Sequence, residues 1–298
     1  MMGNYRRVWL PLMCAALLCG CSIANGQEIF PAIKVKDPLA AESEHEFIGL
    51  VLSYFALPDG ESTLARLPEG KHLLIDTGSA KDWPVLYSHL LERKVTRLDY
   101  LVLTNDLPEY SGGYPQLAEK LEIDTVILPK LTELAIRKGV PVPPAQRQQA
   151  VQDGDVVRLD REVSMQVLLP SEPLFLSPQN NSLVFRLQHG RLGFLFAGGI
   201  NEKAEERLLE RHPDKLKAEV LKVGDQGSNQ GTSQPFLSKV DPHVAIIATG
   251  KWPDQWKEIQ EVLERLGESW AETYITSKDG TITILSNGKD YRVLKEKR

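Results

Sequence analysis

The sequence predicts an α/β protein built as a layered sandwich, with helices flanking β-sheets. Three observations carry that expectation. From Phe47 onward short apolar runs alternate with amphipathic segments, the middle of the chain turns β-rich, and the last third returns to alternation. Two β-rich halves flanked by helices fit stacked layers better than a doubly wound parallel sheet. With 298 residues, 42% of them hydrophobic and 25% charged, there is material for a sizeable core, as one large domain or two small ones. The same composition excludes a disordered, collagen-like or disulfide-scaffold protein.

The chain opens with Arg6 and Arg7 before the apolar run Val8 to Gly20. That run is too short to span a bilayer, which takes ~20 residues. A positive start, a short apolar stretch and small residues at its end describe an export signal over residues 1–20. Its end, Leu18-Cys19-Gly20-Cys21, resembles the bacterial lipoprotein cleavage box, with Cys19 where alanine or serine is usual. The resemblance implies cleavage before Cys21 and lipidation of that cysteine. Dual acylation would supply the two or more chains that stable anchoring takes. Ser22 follows, with no aspartate to signal inner-membrane retention, so the expected place is the periplasmic side of the outer membrane in a Gram-negative cell. Residues 21–46, polar and proline-punctuated, read as the tether, and 47–298 as the folded domain.

All three cysteines, Cys14, Cys19 and Cys21, lie in this leader region. Nothing after residue 21 can form an internal disulfide, a thiolate metal site or a cysteine nucleophile. Loss of residues 1–20 removes two arginines and no acid, taking the net charge from −5 to −7. Nucleic acid and anionic lipid heads find no electrostatic attraction there.

In the domain, Phe47–Phe55 and His72–Asp76 read as strands, with a turn around Pro58-Asp59-Gly60 between them. Trp83–Arg93 has helical spacing, Asp99–Thr104 is a continuous apolar strand, a helix follows Gly113, and Thr125–Leu128 is a further strand. Gly139–Gln149, rich in proline and glutamine, reads as a surface loop. Strands are expected at 156–159, 163–169, 183–187 and 192–197. A helix at 201–211, strands at 220–223 and 244–248, a helix at 254–266 and a β-segment at 280–285 complete the chain. There is no internal repeat and no low-complexity tract.

Four landmarks then occur in order. They are Leu73-Leu-Ile-Asp-Thr-Gly78; Leu98–Thr104 running into Ser111-Gly112-Gly113; Asn180-Asn181-Ser182-Leu183-Val184 with Phe194–Gly198 after it; and Leu221-Lys-Val-Gly224 with Gly227-Ser228 and Phe236-Leu237. Together with Asp279–Ile284 they resemble the metallo-β-lactamase fold, in particular the hydrolase-like domain of DNA-internalisation competence proteins. The resemblance covers about residues 47–288 and implies a four-layer αββα sandwich.

Active members of that family hold one or two metals through T-H-x-H-x-D-H, a later bridging aspartate and a histidine pair. Imidazole suits zinc, and a bridging carboxylate holds two ions ~3.5–4 Å apart to activate water. On this pattern the two leading histidines are Asn105 and Leu107, the aspartate is Glu109 and the last histidine is Tyr110. The bridging aspartate falls at Gly199 and the histidine pair at Asp225-Gln226. The family's G-Q-G-D-A turn is eroded to Asp59-Gly60-Glu61-Ser62-Thr63. Leucine cannot ligate, asparagine is a weak neutral donor and glycine offers no side chain. No zinc, and no other cofactor, is expected.

His45, His72, His89, His189, His212 and His243 fall outside every motif and are expected at the surface or in capping roles. There is no H-E-x-x-H spacing and no nucleophile elbow. Gly112 and Gly113 read as backbone that must turn tightly. Asp76, Asp106, Glu109 and Asp225 could approach one another and hold a hard cation through oxygen ligands. The plainer reading is that Asp76 stabilises its own Thr77-Gly78 turn while Asp106 and Asp225 cap or face solvent. Tyr110 and Trp252 could line a pocket for a small ligand or a peptide; Trp256 and Trp270 read as core anchors.

The expected function is that of a catalytically degenerate lipoprotein, a binding or scaffold module at the cell envelope with an unknown protein or small-molecule partner. The alternative is a phosphodiesterase-like hydrolase with a carboxylate-based metal site. Fold analogy alone does not choose between them.

Overall fold

The computed structural model describes residues 46–140, 147–250 and 256–296. The leader, Cys21, the tether up to residue 45, His45 and Trp252 lie outside these residues, as does the side chain of Trp256. Within the described residues the chain forms two sheets. The first begins with β1 (Leu50–Tyr54), β2 (Thr63–Arg66), β3 (His72–Ile75), β4 (Arg97–Val102), β5 (Glu122–Pro129) and β6 (Arg147–Val151). The second takes β7 (Val156–Arg158), β8 (Val163–Leu169), β9 (Val184–His189), β10 (Leu192–Phe196), β11 (Val220–Lys222), β12 (Val244–Ile247) and β13 (Glu272–Ile275). The chain then returns to the first sheet through β14 (Ile282–Ser286) and β15 (Tyr291–Lys295), giving the order β15-β14-β1-β2-β3-β4-β5-β6 against β13-β12-β11-β10-β9-β8-β7.

The helices are α1 (Trp83–Glu92), α2 (Pro108–Ser111), α3 (Tyr114–Lys120), α4 (Glu133–Gly139), α5 (Glu202–Arg211), α6 (Gln234–Val240), α7 (Trp256–Glu268) and α8 (Thr276–Asp279). None among the described residues is long and apolar enough to cross a membrane.

Strand periodicity builds the layers. Successive side chains point to opposite faces, so Leu73 and Ile75 of β3 enter the core between the sheets while Leu74 joins Leu86, Leu90 and Leu117 under the helices. On β10, Phe194 and Phe196 face the first sheet and Leu195 faces Leu208 and Leu237. Three apolar cores therefore lie between four layers, helix, sheet, sheet, helix, as the sequence leads one to expect. Each fully buried leucine contributes about 1.5–3 kcal/mol relative to exposure. The same alternation on β11 turns Val220 inward, Leu221 towards the helices and Lys222 inward again.

Three expectations need correction. Residues 147–149 are not loop but the start of β6, which pairs in parallel with β5. Gly112 and Gly113 keep ordinary negative φ; what excludes a side chain there is close approach, since a Cβ would lie 2.4 Å from Pro108 O and Thr77 O respectively. Trp270 is no core anchor: it is 92% exposed, at the turn after α7.

Candidate functional site

Strands β3, β4, β10 and β11 run parallel or nearly so to a common end, and the landmark turns gather there. Asp76 follows β3 in left-handed backbone, φ 58°. Its carboxylate is buried and accepts from Thr104 N and Thr104 Oγ1, both at 2.8 Å. It thus ties the end of β3 to the end of β4 rather than stabilising its own turn. Burial pushes the Asp76 carboxyl up to about 7, even though both Thr104 hydrogen bonds favour the anion.

The turns around it are laced by backbone bonds. Thr77 N donates to Tyr110 O, Gly78 N to Glu61 O, and Glu61 N to Glu109 O. Asp82, fully buried, accepts the amides of Asp59, Gly60 and Ser79.

The position of the family's first histidine is committed elsewhere. Asn105 Nδ2 donates to Ser182 Oγ at 3.0 Å, and its Oδ1 accepts from Leu107 N at 2.9 Å. Ser182 Oγ donates to Gln179 O and accepts from Gly199 N, so its capacity is also spent. Leu107 is the residue before α2, Glu109 is half-buried and Asp106 is exposed. The Tyr110 side chain is buried, and a Cβ at Gly199 would lie 3.2 Å from its hydroxyl. The phenol thus stands where Gly199 leaves room for it. Burial, followed by the charges of Asp225, Asp76 and Glu109, drives its pKa well up. Those three carboxylates are the charges that act on the phenol; Asp106 is not among them.

Asp225 and Gln226 occupy consecutive left-handed positions, φ 46° and 54°. Such backbone in non-glycine residues costs of order 1–3 kcal/mol. Gln226 is buried, and its Oε1 has no partner among the described residues.

Lys222 and Glu61 lie inside sequence landmarks, yet their pairing is not legible there. Lys222 projects inward from β11 and forms a buried ion pair with Glu61 from the turn before β2. Its ammonium lies 5.7 Å from the Tyr110 ring centroid. Burial lowers the Lys222 pKa to about 7, with Asp225 pulling it back up. Glu61, Asp76, Thr104, Phe196 and Lys222 enclose a space of about 10 Å³, room for one water. The pairing joins residues 161 positions apart, which no local pattern reveals.

The histidines lie elsewhere. His72 opens β3, His89 stacks on Phe55 with centroids 4.8 Å apart, His212 ends α5 against Asp153 at 2.5 Å, and His243 is exposed. His189 departs from the surface role expected of it, being 1% exposed. No group of three or more His, Cys, Asp or Glu side chains disposed to hold a metal ion occurs among the described residues. An amide spent on its neighbours, a leucine and a phenol do not fit a zinc ion.

The family model of the metallo-beta-lactamase superfamily matches residues 59–251, more than half of the chain. ComE operon protein 3 of Bacillus subtilis is 26% identical over 95% of this chain and 37% of its own length. Competence protein ComA of Neisseria gonorrhoeae is 29% identical over 64% of this chain and 26% of its own. Recombination protein 2 of Haemophilus influenzae is 28% identical over 72% and 26%. The chain spans only 26–37% of the length of these relatives. Among solved structures, the metallo-beta-lactamase fold protein YhfI from Bacillus subtilis superposes with TM-score 0.52, 12% identity, and coverage of 76% of this chain and 96% of that one. That likeness bears on the fold alone, and it agrees with the sandwich described above. By family model and architecture together, this chain belongs to the metallo-β-lactamase superfamily.

Proposed function

We propose that the protein is a catalytically degenerate member of its superfamily, a lipoprotein that serves as a binding or scaffold module at the bacterial envelope. One observation carries the reading. The amide of Asn105, standing where the family has a histidine, has donor and acceptor both engaged by Ser182 and Leu107. A metal would have to break those bonds to gain a weak neutral ligand. Tyr110 against Gly199 supports the same view, since the phenol takes the place opened by a missing carboxylate. The relative named as competence protein ComA suggests where a partner should be sought, among components of competence. The leader motif supports anchoring through Cys21.

Elemental analysis of the purified protein, with turnover of a phosphodiester such as bis(p-nitrophenyl) phosphate, tests the central claim. The expected result is less than a tenth of an equivalent of zinc or manganese and no turnover above buffer. One tightly held metal per chain with turnover lost in Glu109→Ala and Asp225→Ala would establish the carboxylate-site hydrolase instead. Anchoring is tested separately: Cys21→Ser should abolish palmitate labelling and leave the precursor uncut.

A further inference from the structure

At the end of the sandwich away from the pocket the two sheets are joined by a different device. His189 closes β9 in the second sheet and Ser286 closes β14 in the first, with His189 Nδ1 2.9 Å from Ser286 Oγ. Both are buried, at 1% and 0% exposure. The turns that follow them interlock. Arg191 N donates to Gly288 O at 2.7 Å, and its guanidinium reaches Lys289 O and Asp290. A Cβ at Gly190 would sit 2.2 Å from Gly288 O, so only glycine allows the two turns to touch.

The hydrogen bonds in this junction run in one direction. Gly288 N donates to Ser286 Oγ at 3.2 Å. The Glu162 carboxylate facing Nε2, with Oε2 3.6 Å away, favours the ring hydrogen on that nitrogen, which leaves Nδ1 to accept the serine hydrogen. A proton on Nδ1 would reverse the middle link. Ser286 Oγ would then meet two N–H donors, and its own hydrogen would lose its acceptor where no water reaches.

We propose that the His189–Ser286 bridge is an acid-sensitive latch between the two sheets: protonation of His189 breaks the directed chain and frees the 189–191 turn from the 286–290 turn. The groups facing the imidazole set its response. From the β7–β8 turn, Glu162 and Asp160 favour the charged ring, while Arg161 pairs with Glu69. On the β14–β15 side Tyr291 pairs with Ser286 across the strands, and Arg191 holds the Lys289 carbonyl and the Asp290 carboxylate. Burial opposes the two carboxylates and outweighs them, holding His189 below the ordinary 6.5. The latch therefore contributes in full above about 6.5 and weakens as pH falls towards the lowered folded value.

The test is a nitrogen-15 NMR titration of the His189 ring in the full chain, with hydrogen exchange at Arg191 and Gly288, from pH 8 to 4.5. We expect the Nε2–H tautomer at pH 8 and titration below 6.5. The protection of both amides, corrected for intrinsic exchange, should fall by up to tenfold per pH unit in that window, while that of Leu195 in mid-β10 does not. His189→Gln should bring the pH dependence of both amides to that of Leu195; if that variant does not fold, the wild-type titration decides. Titration at or above 6.5, or Arg191 protection unchanged down to pH 4.5, would overturn the latch.

Discussion

The two ends of the sandwich solve the same problem with opposite chemistry. At the pocket end the sheets are bridged by charge, Lys222 against Glu61, beside a buried Asp76. At the far end the bridge is a neutral serine–imidazole pair beneath two touching glycines. A buried ion pair is seldom the most stable filling, because desolvation offsets most of its attraction. The far end shows that this fold can join its sheets without charge. What sets the pocket end apart is its location under the turns that, in active relatives, would surround a metal.

The largest effect that could break this contrast comes from Lys222→Met. It strands the Glu61 carboxylate in the core and should cost about 3–5 kcal/mol in urea unfolding, with most of it recovered on adding Glu61→Leu. A double variant no better than the single one would show that the pair is not the bridge. Next in size is Asp76→Asn. The folded carboxyl is raised to about 7 from an ordinary 3.8, so the folded state binds the proton more tightly. That stabilisation is complete below 3.8 and is lost as pH rises through 7. Wild type should be about 2–4 kcal/mol less stable at pH 8 than at pH 4, and the variant should flatten that slope.

A smaller effect sharpens the view of the pocket. Gly199→Ala puts a methyl 3.2 Å from the Tyr110 hydroxyl and 3.3 Å from Ser182 Oγ, which should cost about 1–2 kcal/mol by overpacking. Adding Tyr110→Phe removes the nearer atom, and the pair should couple by about 0.5–1 kcal/mol in thermal melts. Tyr110→Phe alone deletes a hydroxyl that has no partner among the described residues, and should be neutral or slightly stabilising. Strict additivity would mean that the phenol does not fill the space left at Gly199.

The strands with apolar runs were legible in the sequence because burial on both faces leaves a continuous hydrophobic signal. The elements missed lack that signal. Strand β6, Arg147–Val151, has one fully buried residue and lies at a sheet edge, so its polar side chains follow solvent rather than a core. Strand β2 is four residues long, too short for its alternation to stand out. In the pocket, the replaced positions could be found by landmark spacing, whereas the contacts of Glu61, Asp82, Ser182 and Lys222 could not. Their partners come from distant segments, and only the closed sandwich brings them together. His189 was misjudged for the same reason: its strand-end position suggests exposure, and the turn from β14 covers it.

The Asp82 carboxylate makes two turns and a helix start depend on one another. It holds Asp59 and Gly60 from the turn before β2 together with Ser79 from the turn after β3. Neither turn keeps its shape unless the start of α1 offers that anion. The hairpin of β2 and β3 and the first turn of α1 should thus open together, with the Gly60 and Ser79 amides exchanging at matched rates. The part of the chain that carries the family's most recognisable turn is then one cooperative unit.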